Sequence, residues 1–336
     1  MYKKILFFVW ILVLSGAIFV CQASANEDYK AAYSFCSSEQ MRFQSEFVYE
    51  ISVSVTIYPI KDSEYCYDFD TEEKNEVAYI VHLLNSMNLI DDGKVIRGAD
   101  IPVVNINITT TDGYTQRVGF VAGRFYDDSG KQYDIDYTEY NRFLNFIYAL
   151  KTKKIILDDE VTFEASEWAK NDIDTAVKKE LVPSFNQINY TGKISRLEVC
   201  QLIDNLLANY GIEDAETKDN PFTDTKDKTI INLYNYHIVN GKTENEIFPY
   251  DYITREEFAE ILSNVYGLLK GEEETSEETT CYVDREEISD WAKDSVDFLG
   301  SKGILIGDTN NKFRPKEFIT KQEVIISILR LANMTV

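Results

Sequence analysis

The fold of the C-terminal half is decided by a pattern that occurs three times: Ser195-Arg196-Leu197-Glu198, Thr254-Arg255-Glu256-Glu257 and Thr320-Lys321-Gln322-Glu323. Each copy opens an apolar run with helical spacing. A hydroxyl residue followed three positions later by Glu is a capping box, in which both side chains satisfy backbone N–H groups at a helix start. The pattern therefore predicts three helix starts, with Glu198, Glu257 and Glu323 as capping residues.

A basic residue occupies the first helical position in all three copies, as Arg196, Arg255 and Lys321. A cation there faces the positive end of the helix dipole, which is modestly unfavourable. We therefore predict that each cation, beside free N–H groups, forms an anion-binding site. The alternative is that all three are solvated side chains, each bridging to a nearby acid for well under ~1 kcal/mol.

Each capping box is preceded by a helix and a turn, so the region reads as three helix-loop-helix repeats. We call residues 160–214 the first segment, 218–270 the second segment and 281–336 the third segment. Between the last two lies 271–280, an acidic polar run that reads as a flexible linker.

Several short motifs recur in the same order within the segments. An aromatic-x-Asp opening occurs as Phe222-Thr223-Asp224 and Tyr282-Val283-Asp284, and a Trp-Ala pair as Trp168-Ala169 and Trp291-Ala292. Glycine turns follow at Gly241, Gly303 and Gly307-Asp308, and Phe-x-Pro-type loops precede the boxes. The first segment lacks the aromatic-x-Asp opening and the glycines.

This order of motifs resembles the S-layer homology family. The resemblance implies a pseudo-threefold, all-α assembly in which each module gives one helix to a central bundle. It also implies grooves between modules that hold the anionic, often pyruvylated, secondary polysaccharide of a bacterial cell wall. The fold class we predict is thus an α+β N-terminal domain followed by a three-repeat S-layer homology region.

The candidate polymer-binding residues follow from the motifs. Arg196, Arg255 and Lys321 can donate charge-assisted hydrogen bonds to a sugar carboxylate. The other candidates come from the remaining motifs: Trp168, Trp291, Asp224, Asp284, Asp308, Gly241 and Gly307. For the two Trp residues, packing into the core is the favoured interpretation and stacking on a sugar the alternative. For the three Asp residues we favour turn formation, and for the glycines positive φ.

The N-terminal part has the features of an exported mixed domain. Residues 1–25 contain a basic start, an apolar stretch and an Ala-x-Ala ending, which is typical of a cleaved secretory signal. Residues 26–155 predict an α+β domain with strands near 51–57, 104–108, 117–121 and 133–135 and helices near 73–88 and 137–150. Cys36 and Cys66 could form a disulfide in an exported protein, whereas Cys200 reads as a small buried thiol.

Composition and motifs exclude several functions. The formal net charge of -23 argues against nucleic acid as a partner. No sequence motif indicates a metal or cofactor, and His82 and His237 lie in amphipathic helices where a general base is improbable. We therefore predict a protein that is not an enzyme. It would be secreted, attached to the cell wall at the cell surface, and would display residues 26–155. The alternative is that the repeats are a degenerate scaffold and the N-terminal domain is a protein-binding or sensor module.

Overall fold

A computed structural model describes residues 13–14, 17–18, 48–57, 67–90, 102–110, 113, 115–121, 124–127, 131–135, 137–154, 157, 161–162, 164–212, 214–216, 219–270 and 281–335. The predicted Cys36–Cys66 disulfide, most of the predicted signal and the linker at 271–280 lie outside these residues.

An antiparallel sheet organises the N-terminal region. A short hairpin pairs β1 (Val13–Leu14) with β2 (Ala17–Ile18). The six-stranded sheet contains β3 (Val48–Ile57), β4 (Tyr67–Thr71), β5 (Pro102–Thr110), β6 (Thr115–Val121), β7 (Arg124–Tyr126) and β8 (Gln132–Asp134). Its strand order is β4-β3-β5-β6-β7-β8, with every neighbouring pair antiparallel.

Two helices complete this region: α1 (Lys74–Ser86) and α2 (Tyr137–Lys151). Alternating apolar residues of β3 and β5, such as Ile51 and Ile106, enter one buried cluster with the apolar sides of both helices. The predicted α+β elements are confirmed. Strands β4 and β7 were not predicted, because β4 is short and carries two acidic residues and β7 has only three residues.

Helices dominate the C-terminal region. They are α3 (Lys170–Lys178), α4 (Arg196–Asn209), α5 (Lys228–Asn235), α6 (Arg255–Lys270), α7 (Lys293–Ser301) and α8 (Lys321–Thr335). Short 3-10 turns occur at Ser184–Asn186, Arg285–Glu287 and Asp290–Ala292. Apolar residues of all three segments share one buried cluster.

The predicted capping boxes are confirmed. The Ser195 hydroxyl accepts from the Glu198 N–H, and the Glu198 carboxylate accepts from the Ser195 N–H at 3.0 Å. Thr254 with Glu257, and Thr320 with Glu323, make the same reciprocal bonds. Each box contributes about 0.5–2 kcal/mol to its helix.

The two regions are in direct contact. On the α1 side, the Tyr79 hydroxyl donates to Glu198 at 2.5 Å and His82 Nε2 lies 3.0 Å from the Ser184 carbonyl. Burial, together with the charge of Lys321, lowers the pKa of His82 to about 4, so the ring is neutral near pH 7. A neutral, packed histidine agrees with the prediction that His82 is structural.

Candidate functional site

A closed ring of backbone hydrogen bonds joins the three segments. The N–H of Ile194 donates to Ile319, that of Ile253 to Ile194 and that of Ile319 to Ile253, at 3.1–3.2 Å. All three isoleucines are fully buried. Since each segment donates to one neighbour and accepts from the other, the starts of α4, α6 and α8 are held around one centre.

The first N–H groups of these helices are already bonded, so the premise of free N–H groups is wrong. In α4, Arg196 and Leu197 donate to the carbonyls of Asp251 and Pro249 in the second segment at 2.9 and 2.8 Å. The starts of α6 and α8 use loop carbonyls of the third and first segments in the same way. Backbone amides here bind the neighbouring segment and are not available to an anion.

The three basic residues are buried and paired with acids of the next segment. Each cation contacts the capping Glu of its neighbour, in the pairs Arg196 Nη2–Glu257 Oε1 at 2.7 Å, Arg255 Nη1–Glu323 Oε1 at 3.0 Å and Lys321 Nζ–Glu198 Oε1 at 2.7 Å. Their exposed fractions are 5%, 2% and 0%. The Glu residues therefore have two roles, as caps and as counter-ions. Polymer binding by the three cations stays a prediction.

A second group contacts each of these carboxylates, and it differs between the positions. Glu323 also accepts from Arg314 at 2.8 Å, and Lys242 lies 3.9 Å from Glu257; both cations are partly exposed. At Glu198 the second group is the buried phenol of Tyr79 from the N-terminal region. The N-terminal region thus covers one of three equivalent positions.

The ion pairs shift the pKa values of two capping residues. Burial alone would raise the pKa of Glu198, but the Lys321 ammonium and the hydrogen bonds from Lys321, Tyr79 and Ser195 outweigh it and lower the pKa. The pKa of Glu323 is likewise lowered, since the Arg255 charge and bonds from Thr320 overcome the effect of burial. Both groups stay ionised at neutral pH.

Acid should destabilise the protein through these two residues. A folded-state pKa below the unfolded-state value means that their contribution is complete above about pH 4.5 and is lost as the pH falls through the folded-state pKa. We expect the urea midpoint to fall between pH 6 and pH 3, and to fall less in Glu198→Gln/Lys321→Met, which lacks one of the two carboxylates and the ammonium that pairs with it. Burial raises the pKa of Asp204 and of Asp227, so their protonation favours the folded state as the pH falls. This opposing contribution is the same in the wild type and in the variant. An equal drop in wild type and variant would contradict this.

The two tryptophans lie on the surface, so the prediction that they pack in the core is wrong. Trp168 is 62% exposed and Trp291 54% exposed, whereas the alanine after each is fully buried. In the Trp-Ala pair the small residue packs into the core at the helix start, and the indole therefore faces outwards. Both rings are available for stacking.

The Asp residues fix loops, as predicted. Asp224 accepts from the N–H groups of Ile247 and Phe248, and Asp284 from those of Phe313 and Arg314, at 2.7–3.2 Å. Asp308 accepts from Asn310 and Lys312. Since Phe248 and Arg314 have positive φ, these bonds hold a strained turn in place.

The prediction that Gly241 and Gly307 are glycines because of positive φ is wrong. Neither Gly241 nor Gly307 has positive φ. A Cβ at Gly241 would lie 2.3 Å from the Thr243 carbonyl oxygen, and one at Gly307 would lie 2.8 Å from the Lys312 carbonyl oxygen. Close backbone packing, not φ, requires glycine at both positions.

A cleft of about 390 Å³ separates the N-terminal region from the first two segments. We call this space the interdomain cleft. It is lined from one side by α1, α2 and the turn after α2, and from the other by residues of the first segment between 185 and 201, by 227, 242 and 250–252 of the second segment, and by 318 of the third. Apart from Ser195, Leu197 and Glu198 of the first capping box, the sequence analysis did not single out its lining residues. The sequence feature that could have indicated the cleft is the basic stretch Lys151-Thr152-Lys153-Lys154 at the end of α2. Of these residues, Lys153 and Lys154 line the cleft.

The model of the S-layer homology domain family matches residues 282–325. The match covers the third segment from its aromatic-x-Asp opening into α8. An S-layer homology domain locates the protein at the cell surface and the cell wall, and supports anchoring there. Within the described residues, no helix is both long and apolar enough to cross a membrane.

Three relatives extend the comparison. The chain is 26% identical over 313 residues to an exoglucanase, XynX, of Acetivibrio thermocellus, and 30% identical over 224 residues to an amylopullulanase of Thermoanaerobacterium thermosulfurigenes. It is 36% identical over 116 residues to an endoglucanase of Bacillus sp. (strain KSM-635). These matches cover 85%, 65% and 34% of this chain, but they span 28%, 11% and 12% of the respective relatives.

These relatives overturn the prediction that the protein is not an enzyme, because all three are named as enzymes that act on glucans or pullulan. The match to the exoglucanase covers 85% of this chain, which is more than the three segments together occupy. It therefore extends into the N-terminal region. The prediction rested on absent sequence motifs, but carboxylate-based glycosidases have no local signature, so that absence could not support it.

Proposed function

We propose that the first, second and third segments act as three S-layer homology modules that anchor the protein non-covalently to an anionic secondary polysaccharide of the cell wall. The observation that carries the proposal is the closed ring at Ile194, Ile253 and Ile319, in which the three segments make equivalent backbone bonds. This equivalence supports assigning the first and second segments to the same kind of module as the third, which the match at 282–325 covers.

The proposed polymer site lies at the edge of this ring. Lys242 and Arg314 are partly exposed there, and their bridges to the exposed acids Asp251 and Glu317 contribute well under ~1 kcal/mol each. A polymer carboxylate, such as that of a pyruvyl group, can therefore replace those acids. Arg196 and Arg255 neutralise Glu257 and Glu323, which would otherwise repel it.

The equivalent position at Lys321 differs. Tyr79 contacts both Lys321 and its partner Glu198, at 3.3 and 2.5 Å, so the N-terminal region occupies the space that a polymer would need. Among the residues that the structure describes, the site therefore has two open positions. The exposed indoles of Trp168 and Trp291 supply flat faces for sugar rings.

A wall-pelleting assay tests the anchor. The full chain should co-sediment with purified cell walls, and Trp168→Ala/Trp291→Ala should reduce the affinity about tenfold, since two exposed rings contribute ~0.5–1.5 kcal/mol each. Both rings are exposed, so the variant keeps its stability. Tyr148→Ala, which removes an exposed aromatic ring of the N-terminal region, is the matched control. Failure of the wild type to sediment, or equal loss in the control, would refute the anchor.

Glycan hydrolysis is a second candidate, and the match of the exoglucanase to 85% of the chain favours it. Asp227, which lines the interdomain cleft, has a pKa raised by burial, and that is the shift a proton donor needs in the hydrolysis of a glycosidic bond. Asp227 is therefore the candidate proton donor. Glu198 also lines the cleft, but it is committed to the α4 cap and to Lys321.

Release of reducing ends tests this candidate. The full chain would be incubated with carboxymethylcellulose, pullulan and extracted wall polysaccharide. Asp227→Asn should abolish release, and it should fold normally because Asn caps α5 as well as Asp does. Absence of release from all three substrates, or full activity of the variant, would exclude the candidate.

A further inference from the structure

Two buried amides of the interdomain cleft have oxygen atoms without a partner. Asn186 is 1% exposed and Asn189 is 8% exposed, and both line the cleft. Neither Oδ1 has a hydrogen-bond partner among the described residues, although Nδ2 of Asn186 donates to Gln201. Because an unsatisfied buried acceptor costs about 1–3 kcal/mol, these atoms are suited to a ligand that brings O–H or N–H donors.

Aromatic rings from both regions line the same space. Phe146 comes from α2, and Tyr250, Tyr252 and Phe318 come from the second and third segments. The Lys193 ammonium lies 5.5 Å from the ring centre of Tyr252 and 6.0 Å from that of Phe318. Flat apolar faces beside hydrogen-bonding groups match sugar rings, which have apolar C–H faces and a rim of hydroxyls.

The charge of the lining is opposite to that of the protein. The chain has a formal net charge of -23. The basic side chains in the lining outnumber its acids, and they are Arg142, Lys153, Lys154, Lys193 and Lys242. The acids are Glu198, Asp227 and Asp251, of which Glu198 is neutralised by Lys321. A concave cationic site on an acidic protein concentrates small anions.

We propose that the interdomain cleft binds a short acidic saccharide, with sugar hydroxyls donating to Asn186 and Asn189 and a carboxylate held by Lys153 and Lys154. The volume of about 390 Å³ is within the usual range of small-ligand sites and accommodates two to three sugar rings. The site needs both regions, since α2 and its following turn supply the two lysines and the first segment supplies the two amides.

This site overlaps the proposed anchor at Lys242, which belongs to both, but Trp168 and Trp291, on which the sedimentation test rests, lie outside the cleft. It uses the cleft named for hydrolysis, but it concerns binding and does not require turnover. Wall sedimentation and saccharide binding are therefore tested with different variants, and saccharide binding can persist when reducing-end release fails.

Calorimetric titration of the full chain with trigalacturonic acid tests the proposal. The acidic trisaccharide should bind, and Lys153→Gln/Lys154→Gln should weaken the affinity about tenfold because two charge-assisted contacts are lost. Lys170→Gln/Lys178→Gln removes the same charge from exposed positions on α3, outside the cleft, and should bind as wild type does. Asn186→Leu should weaken binding similarly and lower the melting temperature only slightly, since its Oδ1 makes no bond in the fold and only the 3.4 Å bond from Nδ2 to Gln201 is lost.

Comparison ligands and variants decide between the sources of binding. Cellotriose, which is neutral, should bind at least about tenfold more weakly than trigalacturonic acid. Trp168→Ala/Trp291→Ala should leave the titration unchanged. The proposal is overturned if trigalacturonic acid does not bind, if cellotriose binds equally, or if the lysine variant matches the wild type. Equally tight binding of triglutamate would overturn it in favour of an acidic peptide.

Discussion

Replacing Arg255 with Met is expected to lower the free energy of unfolding by about 3–5 kcal/mol, because it removes one partner of a buried ion pair. The guanidinium donates to the carbonyls of Phe313 and Ile306 and to Glu323, at 2.6–3.0 Å. Met fills a similar volume, so the loss would come from unsatisfied acceptors and not from a cavity. Urea unfolding followed by the helical circular dichroism signal measures it.

Arg285→Met is the matched control for this experiment. Arg285 belongs to the third segment and pairs with Asp297 at 2.6 Å, but its side chain is 28% exposed. A partly exposed pair of this kind contributes at most about 1 kcal/mol. If Arg255→Met cost no more than Arg285→Met, the buried pairs would not hold the segments together.

Glu198→Gln is expected to cost a similar ~3–5 kcal/mol, and a second substitution should restore most of it. Gln keeps the capping geometry, but it leaves the fully buried Lys321 ammonium without a counter-ion. Lys321→Met in the same chain removes that charge, and replacing a buried pair with apolar groups is often neutral. The two single variants, the double variant and wild type form a cycle measured by urea unfolding.

The cycle also reports on contact between the two regions. Tyr79 bonds to both Glu198 and Lys321, so the single variants should also loosen α1 from the first segment. Amide hydrogen exchange around Tyr79 should increase in each single variant. A double variant as unstable as Glu198→Gln alone would show that the charge of Lys321 is not what makes the single substitution costly.

Local sequence patterns predicted the elements of this fold well. The capping boxes at Ser195, Thr254 and Thr320 carry their own partners three residues away, so no tertiary information is needed to recognise them. The α2 helix and strand β3 follow from apolar periodicity in the same way. Strand β4 has the sequence Tyr-Asp-Phe-Asp-Thr, whose two acidic residues do not favour a strand. Its backbone hydrogen bonds to β3 stabilise the extended conformation.

The site depends on contacts distant in sequence, and these were not predictable. Arg196 pairs with Glu257, 61 positions away in sequence, and Arg255 pairs with Glu323, 68 positions away. No local sequence spacing therefore indicates either ion pair. The helix-dipole argument correctly indicated that something must compensate each cation. It could not distinguish a polymer carboxylate from a neighbouring glutamate. The interdomain cleft likewise arises from packing of α2 against loops of the first and second segments.

The closed ring at Ile194, Ile253 and Ile319 restricts how this region could change in evolution. The carbonyl groups of each segment accept hydrogen bonds from the helix start of one neighbour. The helix start of the same segment donates to carbonyl groups of the other neighbour. A gene that lost or gained a single segment would leave one donor face and one acceptor face unmatched. Duplication and deletion should therefore preserve the trio, and shuffling between genes should transfer it whole.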